Sequence, residues 1–330
     1  MIKASHPRHS AAVLLLYAAL IVALPAAAQT QFFGGGQSRA EASGFGQQLS
    51  LLPDQQSASG ALPVGTVSSA RQALLGSGAG SVLAAGQTTA LPAIGGLHLT
   101  AHALARVLNG DTQSAELAQA VADTSGLFSD FFRLDVPGYA PGSLFTVTAG
   151  MRIDAMASAE GAASNNAGSS TFGTSASWDS TVSLTPSIGG VELTRQSDSL
   201  TCTADPGGSA CTGSGAGWRI LTFQMPNQSW QAQLNITGRA RTTARVYLAG
   251  GGNGLATGHS DLGHTIAWGG ISGLVDASGA AVSSFSAISA TSGFDYRNAY
   301  VSAVPEPAQA LLLLAGMLVL AWLIQRRADR

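Results

Sequence analysis

Hydrophobic and polar residues alternate along much of this chain. Between residues 97 and 107 every second position is apolar, whereas His98, Thr100 and His102 occupy positions between them. The same alternation recurs over residues 145–153, 176–184, 230–236 and 239–249. Because successive side chains of a strand point to opposite faces, a period of two predicts strands with one buried and one solvated face.

Two further segments have less regular patterns. Ile266, Trp268 and Ile271 predict a short strand after the glycine-rich turn at residues 250–254. Residues 112–123 contain several good helix formers. We favour a strand there, and the alternative is one short helix that caps the sheets.

The predicted strands recur about every 10 to 20 residues, and glycine-rich connections join them. This spacing predicts an all-β fold, namely an antiparallel two-sheet β-sandwich of jelly-roll type over residues 61–303. Residues 29–60 combine glycine, glutamine and serine with few apolar anchors. That composition predicts a flexible lead-in or irregular first strands.

The N-terminus has the three parts of an export signal. Lys3 and Arg8 precede an apolar stretch over residues 11–24, and Pro25 and three alanines follow it. This order predicts a signal peptide over residues 1–28 that is removed after Ala28.

The last 27 residues contain three features in a fixed order. The features are the motif Val304, Pro305, Glu306 and Pro307, an apolar run over residues 308–324, and the basic pair Arg326 and Arg327. About 17 apolar residues span roughly 25 Å as a helix, the lower limit for crossing a bilayer. The sequence therefore predicts one C-terminal transmembrane helix whose basic end stays in the cytoplasm.

This order of motif, helix and basic end resembles the PEP-CTERM sorting signal of Gram-negative bacteria, over residues 304–330. The resemblance implies processing by an exosortase in the membrane, near the Pro-Glu-Pro motif, and a link to exopolysaccharide and biofilm. It also implies a chain that is exported through the inner membrane, held there briefly by its C-terminal helix, and released to the outer surface or medium. The alternative is a simple tail anchor preceded by a chance pair of prolines.

Charge restricts the partners of the exported part. The only lysine is Lys3, so residues 29–304 carry 11 arginines against 16 acidic residues, a net charge near −5. Nucleic-acid binding requires a basic face, and this balance argues against such a partner.

The two cysteines predict a disulfide. Cys202 and Cys211 flank the turn Asp205-Pro206-Gly207-Gly208, which brings the two ends together. In an exported protein such a pair is expected to be oxidised, and it would hold one hairpin tip.

No catalytic site, metal site or cofactor is predicted. His98 and His102 point the same way on one strand but lie roughly 13 Å apart, too far to share a metal. The remaining candidates cluster at His259, Ser260, Asp261 and His264. A secreted hydrolase is the weakest interpretation of this cluster, because a catalytic triad is normally assembled from separate segments.

One polar cluster suggests binding. Arg239, Arg241 and Arg245 lie on one face of a predicted strand, about 7 Å apart along it. Guanidinium groups bind carboxylates in bidentate fashion, which suits an acidic polysaccharide. The alternative is a solvated outer face whose arginines pair with acidic residues of neighbouring strands.

Three hypotheses of function follow. The first is an exported, non-catalytic protein of the cell surface or extracellular matrix, sorted by its C-terminal signal. The second is a carbohydrate-binding module that uses the arginine-rich strand face, and the third is the secreted hydrolase.

Overall fold

The computed structural model describes residues 29–61, 65–77, 80–110, 115–165, 169–186, 192–228 and 231–300. These residues form fifteen strands, numbered here in chain order, and the described part contains no helix. All strand pairings are antiparallel, and the strands form two sheets.

Sheet A has nine strands. They are β1 (Gln31–Gly44), β2 (Gln47–Ser50), β3 (Asp54–Gly60), β7 (Ala115–Asp135), β9 (Ser169–Pro186), β10 (Thr194–Asp205), β11 (Gly208–Gly213), β13 (Ala232–Ala249) and β15 (Ser286–Ser289). Their order is β11-β10-β9-β13-β7-β1-β2, while β3 also pairs with β1 and β15 pairs with one end of β7.

Sheet B has six strands in the order β12-β8-β14-β6-β5-β4. They are β4 (Val67–Ser77), β5 (Gly80–Ala93), β6 (Gly96–Gly110), β8 (Leu144–Asn165), β12 (Gly217–Pro226) and β14 (Gly252–Val275). The two sheets pack face to face, with β6 against β7 and β13, and β5 against β1. The predicted all-β architecture of two antiparallel sheets is confirmed, and the jelly-roll connectivity stays a prediction.

The prediction for residues 29–60 was wrong. Instead of a flexible or irregular lead-in, β1 pairs with β7 over thirteen residues, from Gln31 to Ser43. Its glycines pack closely against sheet B: a Cβ atom on Gly36 would lie 2.2 Å from Thr88 Oγ1. Glycine in this strand allows close approach of the sheets, whereas its composition alone suggested disorder.

The ambiguous segment at residues 112–123 resolves as strand where it is described, because β7 begins at Ala115. The short strand predicted around Trp268 is only the second half of β14, a strand of 24 residues. Irregular pairing between Asp261 and Thr265, and between Trp268 and Ile271, breaks the alternation that would have revealed its length. Trp230, which began another predicted strand, lies outside the described residues.

The core between the sheets has two parts along the strands. The first contains the large side chains, among them Phe128, Phe132, Trp178, Trp268 and Tyr296. The second consists of alanine, valine and one leucine, Leu248, from both sheets. Small side chains allow the backbones of the two sheets to approach closely in this second part.

Candidate functional site

The arginine face lies on the outer surface of sheet A. Along β13, Arg239, Arg241 and Arg245 are exposed, whereas the residues between them are buried against sheet B. The buried set comprises Ala240, Thr242, Ala244, Val246 and Leu248. The outward register of the three arginines is therefore as the alternation predicts.

Arg239 is already paired. Its Nε donates to Asp123 Oδ1 at 2.8 Å, and Nη2 bonds the other oxygen of the same carboxylate. Asp179 of β9 lies directly opposite Arg239 in the register. Desolvation raises the pKa of Asp179, and the Asp123 carboxylate raises it further, while Arg239 opposes both effects. The Arg239 guanidinium thus interacts with the carboxylates of both Asp123 and Asp179. The alternative of a solvated outer face predicts such pairing at this position.

Arg241 and Arg245 differ from Arg239. Within the ranges that the structure describes, neither makes an ion pair or a side-chain hydrogen bond. Arg245 lies between Gln119 of β7 and Gly173 of β9. These two guanidinium groups therefore have free donors for a ligand.

A shallow groove lies beside Arg245. Its volume is about 230 Å³, and it is lined by Thr171, Phe172, Gly173, Arg245 and Tyr247. A Cβ atom on Gly173 would meet no atom within 4 Å, so the absence of a side chain there leaves the groove open. The groove is smaller than most enclosed ligand pockets, and it suits one unit of a longer polymer.

The cysteines are joined. Cys202 and Cys211 face each other across β10 and β11 with an S–S distance of 2.05 Å. The turn between the strands is closed by Asp205, whose Oδ1 accepts from the Gly207 amide at 2.7 Å. The disulfide therefore lies at the tip of the edge hairpin of sheet A.

Two histidines form a pair on the outer face of sheet B. His102 and His259 are neighbours across β6 and β14, and their rings are 5.8 Å apart. Burial and the proximity of His259 lower the pKa of His102. His259 Nε2 lies 3.5 Å from Asp261 Oδ2. The sequence could not reveal the pair, because 157 positions separate the two histidines.

The arrangement does not favour the hydrolase interpretation. Ser260 points into the sandwich, where its Oγ donates to the carbonyl oxygen of Ser177 at 2.7 Å. His259 and Asp261 point to the opposite face, since they are its neighbours along the strand. The side chain of His264 lies outside the described residues. In the described ranges no three His, Cys, Asp or Glu side chains are grouped to hold a metal ion.

A buried carboxyl group that sequence reasoning missed lies at one end of the molecule. Asp130 of β7 has no exposed surface and accepts hydrogen bonds from five hydroxyl groups. The donors are Thr30 at 2.8 Å, Ser289 at 2.9 Å, Thr291 at 2.9 Å, Ser292 at 2.5 Å and Tyr296 at 2.8 Å. We call these six residues the Asp130 cluster. Burial, and secondarily Asp130, raises the pKa of Tyr296.

The Asp130 cluster joins the two ends of the described chain. Thr30 lies just before β1, and the other donors follow or end β15. The three hydroxyl residues Ser289, Thr291 and Ser292 were the only sequence signal, and they gave no indication of a distant carboxyl partner.

The predicted signal peptide at residues 1–28 and the predicted sorting signal at residues 304–330 lie outside the described residues. Across the described ranges, no helix has the length and apolar character needed to cross a membrane. The chain matches no known protein family, and no curated protein or solved structure is similar to it.

Proposed function

We propose that this protein is an exported, non-catalytic protein of the cell surface or extracellular matrix. It is delivered by its signal peptide and sorted by its C-terminal Pro-Glu-Pro signal, with an exosortase as the processing partner. The disulfide between Cys202 and Cys211 is consistent with an oxidising compartment.

The observation that carries the proposal is the position of the two predicted processing sites relative to the folded body. Thr30 is two residues beyond the predicted cleavage after Ala28, and it is buried and bonded to Asp130. Tyr296 is bonded to the same carboxyl group, and it lies eight residues before Val304. Cleavage at both sites would leave a body whose first and last described segments are bonded to each other through Asp130.

Mass spectrometry of the exported protein tests this proposal. We expect a chain that starts near Gln29 and lacks Arg326 and Arg327 in a host with an exosortase. In a host without that enzyme the same chain should remain in the inner membrane. Intact Arg326 and Arg327 in protein recovered from the outer surface of the exosortase host would contradict the sorting proposal.

A variant set separates motif recognition from simple anchoring. Replacing Pro305, Glu306 and Pro307 by alanine should leave the tail uncut. The control Asp329→Ala changes an acidic residue in the same tail and should be processed normally. Cleavage of both variants would show that the motif has no role, and no cleavage of either variant or of the parent would favour a simple tail anchor.

The second candidate function is binding of acidic polysaccharide. It is favoured by the free donors of Arg241 and Arg245 and by the groove that Arg245 and Tyr247 share. Guanidinium donors beside a phenol ring provide both a charged and a stacking contact for a uronic acid unit.

Retention in gels that contain polygalacturonate tests the second function. The double variant R241Q/R245Q should lose retention at low salt, while R239Q should lose less because Arg239 already pairs with Asp123. The matched control R133Q/R195Q removes the same charge from exposed positions outside the groove. Equal losses in the two double variants would reduce the effect to net charge and remove the groove from the function.

A further inference from the structure

A large aromatic residue lies exposed on the opposite side of the sandwich from the arginine face. Trp218 is the second residue of β12, the edge strand of sheet B, and 61% of its surface is exposed. Its strand neighbours Leu221 and Phe223 point into the core, so Trp218 belongs to the outer face.

Two glycines provide the base on which the indole rests. A Cβ atom on Gly150 would lie 2.9 Å from Cζ3 of Trp218, and one on Gly269 would lie 2.2 Å from the same atom. Only glycine at both positions leaves room for the ring. The six-membered ring is therefore held against the backbone of β8 and β14 while most of the residue faces solvent.

The backbone at Trp218 is fixed as well. Arg219 donates to the carbonyl oxygens of Trp218 at 3.2 Å and Gly215 at 2.9 Å. The same guanidinium donates from Nε to Asp198 Oδ1 of β10 at 2.9 Å, which bridges the two sheets at this edge. Pre-organisation of this kind lowers the entropy lost when a ligand binds.

Polar residues lie on β8 beside Trp218 in the register. Arg152 of β8 is directly opposite Trp218 in the register, and its Nη2 lies 2.7 Å from Asp154 Oδ2. The side chain of Arg152 is 57% exposed. Trp218 thus lies opposite an exposed arginine whose carboxylate partner is two residues farther along β8.

We propose that Trp218, Arg152 and Asp154 form a binding site for one pyranose ring of a glycan. A pyranose has an apolar face of C–H groups, which packs on an indole, and a rim of hydroxyl groups, which pairs with a guanidinium and a carboxylate. An inserted lipid chain would instead bring the ion pair out of water at a considerable cost. Trp218 and the arginine face do not share residues, so each proposed site can be tested independently of the other.

Affinity electrophoresis in gels that contain mixed-linkage β-glucan or polygalacturonate tests the site. We expect retardation in at least one gel, and a rise in Kd of about tenfold or more in W218A, as for the loss of a buried aromatic anchor. R152Q should weaken binding less. The retardation that depends on Trp218 should persist in R241Q/R245Q. In the gel with β-glucan, which is neutral, this retardation should depend little on the salt concentration.

Ile220 supplies the matched control. It lies on the same face two residues along β12 and is 74% exposed. I220A should bind like the unaltered protein, and equal losses in I220A and W218A would overturn the proposal in favour of general hydrophobic adhesion.

The proposal is also overturned if neither gel retards the protein, or if the only effect of W218A in sedimentation is to convert a dimer to a monomer. W218F keeps an aromatic ring over both glycines. Its thermal unfolding should be unchanged while its binding is weaker, and this result would show that the loss of binding does not come from misfolding.

Discussion

At the scale of single residues, the two most informative carboxyl groups are in opposite situations. Asp130 is buried and satisfied by five hydroxyl donors, whereas Asp179 lies on the outer face beside a guanidinium that Asp123 already engages. The first should contribute strongly to stability, and the second should reduce it at neutral pH.

Asp130→Ala should lower the free energy of unfolding by about 3 kcal/mol or more, because it leaves several buried hydroxyl groups without an acceptor. Urea unfolding monitored by circular dichroism measures the change. Asp135→Asn is the control on the same strand, since its side chain is more exposed and bonds only to Gln228 among the described residues. A loss below about 1 kcal/mol in Asp130→Ala would contradict the structural importance of the cluster.

Asp179→Asn should stabilise the protein slightly at pH 7. The pKa of Asp179 is raised by folding, so its contribution is favourable below the pKa of the unfolded chain and is lost as the pH rises through the folded value. Because the side chain is exposed, the gain should stay within about 0.5 kcal/mol and vanish near pH 3. Urea midpoints at both pH values measure it, and a variant less stable than the parent at pH 7 would refute the assignment.

At the scale of strands, the alternation of apolar and polar residues predicted which faces are buried, whereas the glycine content of β1 led to a wrong prediction. β6, β8, β9 and β13 were recognisable because apolar and polar side chains alternate along them. β1 was missed because a glycine at a site of close approach looks the same in sequence as a glycine in a loop. Information about the partner strand, which the sequence does not contain, distinguishes the two.

The same reasoning limits what could be predicted of the sites. The outward register of the arginines followed from one strand alone, whereas the Arg239–Asp123 pair and the groove depend on which strands are adjacent. Trp218 appeared in no predicted strand, and its exposure depends on two glycines that are far from it in sequence.

Gly86→Ala should destabilise the protein, because the new Cβ would lie 2.7 Å from the carbonyl oxygen of Val121 in the facing sheet. Forcing the sheets apart should cost about 1 to 3 kcal/mol, as for other overpacked cores. Gly173→Ala is the matched control, since its Cβ would meet no atom within 4 Å and should be neutral or slightly stabilising. Thermal unfolding compares the two, and equal melting temperatures would show that the sheets separate freely at Gly86.

At the scale of the whole molecule, the two proposed glycan sites lie on opposite outer faces of the sandwich. The groove at Arg245 is on sheet A, and Trp218 is on sheet B. The two sites therefore cannot contact the same segment of a stiff polymer. A single molecule with both sites can instead bridge two polymers.

Cross-linking tests this consequence. If both sites bind, the protein should raise the viscosity of a polygalacturonate and β-glucan mixture more than an equal amount of W218A or R241Q/R245Q. Each of these variants keeps one site and should still bind one polymer. An unchanged viscosity in all samples, with binding intact, would indicate that the two sites cannot be occupied together.

The Asp130 cluster has a mechanical consequence. β15 pairs with β7 through only four residues, and the segment after it is bonded to β14 through the amide of Tyr300 and the carbonyl oxygen of Tyr296. Tension applied beyond Tyr300 therefore loads the bonds to β14 first and β15 next. Further resistance comes from the side-chain hydrogen bonds that Ser289, Thr291, Ser292 and Tyr296 donate to one carboxyl group. The cluster therefore acts as a clasp: while it holds, the C-terminal segment stays attached to β7 of sheet A as well as to β14 of sheet B, and the load is shared between the two sheets.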